Sequence, residues 1–196
     1  MSQVEWNVEH LRAVELPKAY RLLNHGPTVL VSSAHGGERN LMAAAWAMPL
    51  DFDPPKVLVV IDKATHTRGL IERSGVFALN VPSADQVGLT WQVGSESGSA
   101  VDKFTRHGIA TRPGTSIDVP LIDGCLGYLE CRVIPEPRNE KNYDLFIGEV
   151  VAASADDRVF SDGRWHFPPG FPKSIHHIAH GVFFETGAVI EGNADR

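Results

Sequence analysis

One stretch of the sequence, residues 40–67, carries residue types that could bind a flat cofactor with a phosphate. It opens with small and apolar side chains, which are Met42, Ala43, Ala44, Ala45, Trp46 and Ala47. It closes on a polar segment at the predicted start of a helix, which is Lys63, Ala64, Thr65, His66 and Thr67. Small side chains let a flat ring approach the backbone, and an ammonium group, hydroxyls and free N–H groups at a helix start suit a phosphate. One stretch could therefore hold both ends of a cofactor such as flavin mononucleotide (FMN).

The same residues also admit a purely structural interpretation. Alanine is the best helix former, so the alanine run could be plain packing or a helix segment. Hydroxyls at a helix start commonly serve as N-caps. On this interpretation Lys63 is a solvated surface charge and Thr65 is a simple cap.

Composition limits the protein to a few broad classes. The 196 residues, 43% of them hydrophobic, predict one domain over 1–196, with a leader at 1–16 and a C-terminal extension at 161–196 packed on it. A net charge of -6 argues against non-specific nucleic-acid binding. No run reaches the ~18 apolar residues of a membrane helix, and the polar N-terminus is neither a signal nor a transit peptide, so we expect a cytoplasmic protein away from membranes. Cys125 and Cys131 are predicted to be buried thiols on one strand, without a disulfide.

The elements around the central stretch predict a mainly β fold with a few short helices. Alternating or β-prone runs predict strands at 28–33, 57–61, 76–81, 127–134 and 145–152. Helices are expected at 18–23, from about Thr67 to a cap at Gly75, at 85–93, and from 101 to about 107. Gly36-Gly37 predicts a hairpin turn, residues 110–120 are expected to be irregular, and 135–142 a polar connection. The strands and helices do not alternate as β-α-β units, which favours an antiparallel barrel over a doubly wound sheet.

The order of several short motifs resembles the flavin reductase-like family, whose FMN-binding split barrels include the flavoredoxins. The matching pieces are Asn40-Leu41-Met42-Ala43-Ala44-Ala45-Trp46, Asp53-Pro54-Pro55, Asp62-Lys63-Ala64-Thr65-His66-Thr67-Arg68, Asp102-Lys103-Phe104, and the segments 27–33, 75–82, 129–133 and 145–150. Together they extend over roughly residues 17–190. The combined order, rather than any single motif, makes the resemblance specific.

The resemblance implies a Greek-key split β-barrel and a homodimer that holds FMN noncovalently in a cleft near the subunit interface. By position, residues 42–47 would line the ring system and ribityl chain, and Lys63, Thr65 and Thr67 would hold the phosphate, with Ala64 between them. His177 would lie in a segment close to the flavin or substrate. The sequence departs from the family at Ala64, where many relatives carry Ser, at Thr65, where some carry Arg, and at Ala44 and Ala45, where hydroxyl-bearing residues are common.

Other candidate residues support no separate chemistry. On a helix, His176 and His180 would share a face as zinc ligands can, but no third ligand accompanies them, so we predict no metal site. A packed or hydrogen-bonded tail is the alternative. Asp51 and Asp53 precede two prolines and are expected to form a turn rather than an acid–base pair. We assign no catalytic acid, base or nucleophile.

Three functions are compatible with this reading. The first is a flavin reductase that takes hydride from NADH or NADPH and passes electrons to a small-molecule acceptor or a redox partner protein, the flavin supplying the redox chemistry. The second is a flavoredoxin-like electron carrier without a nicotinamide site of its own. The third is a structural dimer that has lost its cofactor.

Overall fold

The computed structural model of the protein describes residues 8–192. Strands make up 41% of the described residues and helices 23%, so the fold is mainly β, as predicted. The strands are β1 (Leu11–Ala13), β2 (Val29–His35), β3 (Glu38–Ala44), β4 (Ala47–Phe52), β5 (Pro55–Val60), β6 (Val76–Val81), β7 (Thr111–Pro113), β8 (Pro120–Ile122), β9 (Gly127–Ile134), β10 (Leu145–Asp156), β11 (Phe160–Ser161), β12 (Arg164–Trp165), β13 (Ile175–Ala179) and β14 (Val182–Glu185). The α-helices are α1 (His66–Ser74), α2 (Val87–Ser95), α3 (Lys103–His107) and α4 (Pro137–Tyr143), and short 3-10 helices occur at Val8–His10, Leu16–Leu22 and Ala84–Gln86.

Eight strands form one antiparallel sheet. Its order is β3-β2-β6-β9-β10-β5-β4, and β1 pairs with part of β10. Strands β3 and β4 follow each other in the chain but lie at opposite ends of this path, so within residues 8–192 the hydrogen-bonded path does not close. The outer backbone groups of β3 therefore lack a strand partner in this sheet.

Both faces of the central strands are buried. Strand β2 begins with three consecutive apolar residues, Val29 to Val31, because both of its faces are buried. Val29 and Val31 belong to a core cluster with Phe77 and Phe146, while Leu30 points to a second cluster on the other face. The second cluster is covered by α2, α3 and the 109–122 segment.

Glycines end two of the elements that surround the candidate site. The turn at Gly36 (φ 59°) and Gly37 (φ 86°) joins β2 to β3, and His35 pairs with Glu38 across it. Helix α1 ends at Gly75 (φ 70°), whose N–H donates to Ile71 O. These left-handed conformations suit glycine, since a Cβ would be strained there. The predicted hairpin and helix cap are confirmed.

Other sequence expectations need correction. Part of residues 110–120 is regular, because β7 and β8 form a two-stranded ribbon. The polar connection after β9 contains a helix, α4, which begins at a proline compatible with a first helical turn. Cys131 lies in β9, but Cys125 precedes that strand; both thiols are buried and free. The predicted leader includes residues 1–7, which lie outside the described residues. No helix described here is long and apolar enough to cross a membrane.

Candidate functional site

A hydrogen bond between Asn40 and Thr67 brings the two ends of the predicted cofactor stretch together. Asn40 Nδ2 in β3 donates to Thr67 Oγ1 in the first turn of α1 at 2.9 Å. Both side chains are buried. The start of α1 is therefore held beside β3 at Asn40. Asn40 precedes Ala44 by four residues, which corresponds to ~13 Å along a strand. The helix start and the small-residue segment thus border one surface.

The outer side of β3 offers unpaired backbone groups along this surface. Residues of an antiparallel hairpin alternate between those that exchange hydrogen bonds with the partner strand and those that face away. Leu41 belongs to the outward set, because its carbonyl oxygen accepts a bond from Lys103 Nζ at 2.8 Å. Ala43, two residues further along β3, turns its N–H and C=O to the same side. Helix α2 approaches Ala43 closely, and a Cβ on Gly94 would lie 3.1 Å from the Ala43 Cβ.

The predicted ring-binding residues lie where β3 ends and β4 begins. Met42 and Ala43 are half-buried, and Ala44 and Ala47 are buried in the main core. Ala45 and Trp46 are exposed, Trp46 with 73% of its surface accessible. A ligand at this junction would meet small side chains and backbone on one side and an indole ring on the other.

Lys63, Ala64 and Thr65 form a turn that leads into α1. Asp62 shapes the turn, since its carboxylate accepts the Ala64 N–H (2.7 Å) and its carbonyl accepts the Thr65 hydroxyl (2.8 Å). The Lys63 side chain is 69% exposed, and its Nζ lies 3.7 Å from Asp144 Oδ1. The next backbone N–H, that of His66, has no partner among the described residues, and no side chain caps the helix. An anion here would meet an ammonium group, a hydroxyl, an N–H and the positive end of the helix dipole.

Thr67 occupies a different position from the one expected of a phosphate ligand. Its accessible surface is 0%, and its hydroxyl is engaged by Asn40. The physical reason is helical geometry, which turns Thr67 inward against β3 while Lys63 and Thr65 stay at the surface. Thr67 therefore anchors α1 instead of presenting its hydroxyl to a ligand in this conformation.

The histidine-rich segment is a β-hairpin, which corrects the helical interpretation. His176 and His177 lie in β13, and His180 (φ 48°) lies in the turn before β14. The His177 N–H donates to Thr28 Oγ1 at 2.8 Å. Because Thr28 immediately precedes β2, and Val29 pairs with Ala44, this bond places His177 at the end of β3 that carries the small residues. The exposed His177 ring packs against Phe183, with 5.1 Å between ring centroids.

No group of three or more His, Cys, Asp or Glu side chains within residues 8–192 is arranged to hold a metal ion. His176 instead contacts Gly26 O through Nδ1 and the Thr186 hydroxyl through Nε2. Its hydrogen bonds fasten the hairpin to the body of the protein.

Sequence reasoning assigned no function to three buried polar residues that support the site. Asn40 anchors α1 to β3, and Lys103 binds Leu41 O. Arg68, beneath the helix start, donates to Asp144 Oδ1 (2.5 Å), Glu72 Oε1 (2.7 Å) and two backbone carbonyls. All three residues fall within motifs that carried the family resemblance, which was the available signal.

Comparisons with known proteins show which chains this one is similar to. The family description "Flavin reductase like domain" matches residues 21–169. A structure of an FMN-binding domain of a flavin reductases-like enzyme from Shewanella baltica OS155 is 47% identical, with a TM-score of 0.92 over 97% of this chain and 100% of that chain. The flavoredoxin of Desulfovibrio vulgaris (Miyazaki F) is 26% identical, with a TM-score of 0.74 over 87% of this chain and 91% of that one. The uncharacterized protein YddH of Escherichia coli K12 is 46% identical over 177 residues, which are 89% of this chain and 94% of that protein.

Proposed function

The chain belongs to the flavin reductase-like family, and from this membership we propose that it binds FMN noncovalently and uses it as an oxidoreductase. The observation that carries the proposal is the Asn40–Thr67 hydrogen bond, which holds the anion-binding turn of α1 beside the free edge of β3. We further propose that the main sheet belongs to a Greek-key split barrel, as the resemblance implies.

The groups present suit the two chemical ends of FMN. At the phosphate end, Lys63, the Thr65 hydroxyl and the His66 N–H would bind the dianion. The carboxylates of Asp62 and Asp144 would repel the phosphate, so the Lys63 side chain must turn from Asp144 towards the ligand. At the ring end, the outward N–H and C=O of Ala43 would bond the polar edge of the flavin, and the small side chains of residues 42–45 allow that approach. Trp46 and His177 would border the ring.

The protein's own groups position the cofactor and supply no acid, base or nucleophile in this proposal. Bound FMN would supply the redox chemistry, which is hydride acceptance from a reduced nicotinamide and electron transfer to an acceptor. The β3 edge fixes the ring by backbone hydrogen bonds, and the α1 turn fixes the phosphate. The β13–β14 hairpin, fastened to Thr28, would border the ring end.

A homodimer completes the proposed site. Strand β4 ends the hydrogen-bonded path and exposes Met48, Leu50 and Phe52, next to the exposed Trp46. Grouped, exposed apolar side chains mark association surfaces. A stable dimer on this side should bury well over ~1,000 Å². Light scattering at micromolar concentration should give twice the chain mass, and a monomeric mass would contradict the proposal.

A flavoredoxin-like electron carrier is the second candidate function, supported by the similarity to the Desulfovibrio vulgaris flavoredoxin. Such a protein would bind FMN in the same place but take electrons from a redox partner. Anaerobic mixing of the FMN-loaded protein with NADH, and separately with NADPH, distinguishes the two. Rapid bleaching of the flavin absorbance supports the reductase. Bleaching by dithionite but by neither nicotinamide would leave the electron carrier.

The phosphate assignment has its own test. We expect Lys63→Ala to weaken FMN binding about tenfold, at the low end for a charge-assisted bond, because the lysine is largely exposed. Riboflavin lacks the phosphate, so its affinity should change much less. Lys18→Ala is the matched control, since Lys18 also forms a surface ion pair, with Glu15. Equal FMN affinity in wild type, Lys63→Ala and Thr65→Ala would refute the assignment.

A further inference from the structure

Lys103, the first residue of α3, is a buried cation next to the proposed flavin-binding strand. Only 2% of its surface is accessible. Its Nζ donates to Leu41 O in β3 (2.8 Å) and to Val93 O near the end of α2 (2.6 Å). The ammonium group therefore joins the outer side of β3 to the helix that packs against it.

The charge of Lys103 has no direct counterion among residues 8–192, since no carboxylate there lies within 4 Å of Nζ. Glu96, which follows α2, interacts electrostatically with Lys103, but its carboxylate contacts His107 (2.9 Å) and Arg106 (3.4 Å). Burial lowers the pKa of Lys103 to about 8, with Glu96 opposing the shift. The ammonium group is thus an incompletely balanced positive charge inside the protein, where electrostatic interactions are stronger than in water.

The position of this charge along β3 is defined by Leu41. The next outward-facing residue on the strand is Ala43, about 7 Å away, since a two-residue repeat in a strand has that length. The Ala43 backbone groups are those proposed to bond the flavin ring. The charge therefore lies on the same edge of β3 as the backbone groups proposed to bond the ring.

We propose that Lys103 acts as an electrostatic positioning residue, which stabilises the negative charge of reduced FMN on the β3 edge and so raises its reduction potential. This inference rests on the proposed FMN site. Hydride transfer adds a proton and two electrons to the ring, leaves it with one additional negative charge, and oxidises the donor. A cation near the ring favours that anionic product over the oxidised form.

The expected size of the effect follows from Coulomb's law. A unit charge ~10 Å from the ring in surroundings of effective dielectric constant ~20 should favour reduced over oxidised FMN by about tenfold. For a two-electron couple a tenfold ratio corresponds to about 30 mV. Leu41 O and Val93 O would retain a charged donor if arginine replaced the lysine.

The test compares the midpoint potential of bound FMN in wild type, Lys103→Met and Lys103→Arg. It is measured by anaerobic spectroelectrochemistry with protein in excess over FMN, so that the flavin is bound. Lys103→Met should lower the potential by about 30 mV, and Lys103→Arg should restore most of it. Glu96→Gln, near the protein surface, should shift the potential slightly upward and provides the test if Lys103→Met does not fold.

The outcomes separate this inference from the function on which it rests. Failure of wild-type protein to bind FMN would overturn both. FMN binding with the same potential in wild type, Lys103→Met and Glu96→Gln would overturn the role of Lys103 alone. A loss of stability in Lys103→Met with an unchanged potential would give Lys103 a purely structural role, and would also overturn the inference.

Discussion

Replacing Gly98 by alanine should disturb the contact that joins α1 to β3. A Cβ at position 98 would lie 2.2 Å from Asn40 Oδ1, 2.4 Å from its Cγ and 2.5 Å from its Nδ2. The whole Asn40 carboxamide would have to move, since none of these separations is tolerable. Asn40 is buried, and its amide donates to the buried Thr67 hydroxyl. The movement should break that hydrogen bond.

The cost can be estimated from the groups involved. Leaving a buried polar group without its partner costs about 1–3 kcal/mol. Alanine restricts the unfolded chain more than glycine does, which offsets about 0.4–1 kcal/mol. We therefore expect Gly98→Ala to lower the free energy of unfolding by about 1–2 kcal/mol. FMN affinity should fall as well, because the phosphate-binding turn loses its anchor on β3.

Urea unfolding and FMN titration measure the two effects. Gly88→Ala is the matched control, since no atom lies within 4 Å of its added Cβ and the position is in α2. It should raise the free energy of unfolding by about 0.5–1 kcal/mol. In an Asn40→Ala background the clash is absent, so Gly98→Ala should cost little. Gly98→Ala with wild-type stability and FMN affinity would refute the reasoning.

Three further changes test other parts of the structure. Burial lowers the pKa of His25 to about 4. As pH drops from 6.5 towards 4, His25 therefore becomes protonated in the unfolded chain before the folded chain, and stability should fall. His25→Phe should flatten that slope by up to about 1.4 kcal/mol per pH unit, and parallel curves in urea unfolding would contradict this. Glu130→Gln should cost about 2–3 kcal/mol, because the carboxylate accepts four hydrogen bonds from residues 115–117 and an amide cannot; an unchanged urea midpoint would contradict it. Gly148→Ala should lower the free energy of unfolding by about 1–3 kcal/mol, since its Cβ would lie 2.6 Å from Phe77 Cζ. An unchanged melting temperature would argue against that close packing.

Local signals predicted the elements that border the site. The apolar run 57–61 lies largely in β5, Gly36-Gly37 forms the β2–β3 turn, and Gly75 caps α1. In each case the residue type itself restricts the backbone, through β-branching or through a left-handed conformation open to glycine. The family resemblance then indicated which of these elements would surround a ligand.

The features that sequence reasoning missed depend on partners that are distant in the chain. Thr67 is buried because Asn40, 27 residues earlier, meets it across the α1–β3 contact. The segment that contains His177 has a spacing compatible with a helix, yet it pairs as a hairpin and is fastened to Thr28, 149 residues earlier. Lys103 can be buried because its ammonium group donates to two backbone carbonyls on other elements, Leu41 O and Val93 O. None of these contacts leaves a periodic signal.

The most direct test of the account is an equilibrium titration of the purified apo-protein with FMN and with riboflavin, followed by flavin fluorescence and visible absorbance. We predict saturable binding of one FMN per chain, with riboflavin bound at least about tenfold more weakly because it lacks the phosphate held at α1. Absence of FMN binding, or equal affinity for the two flavins, would contradict it.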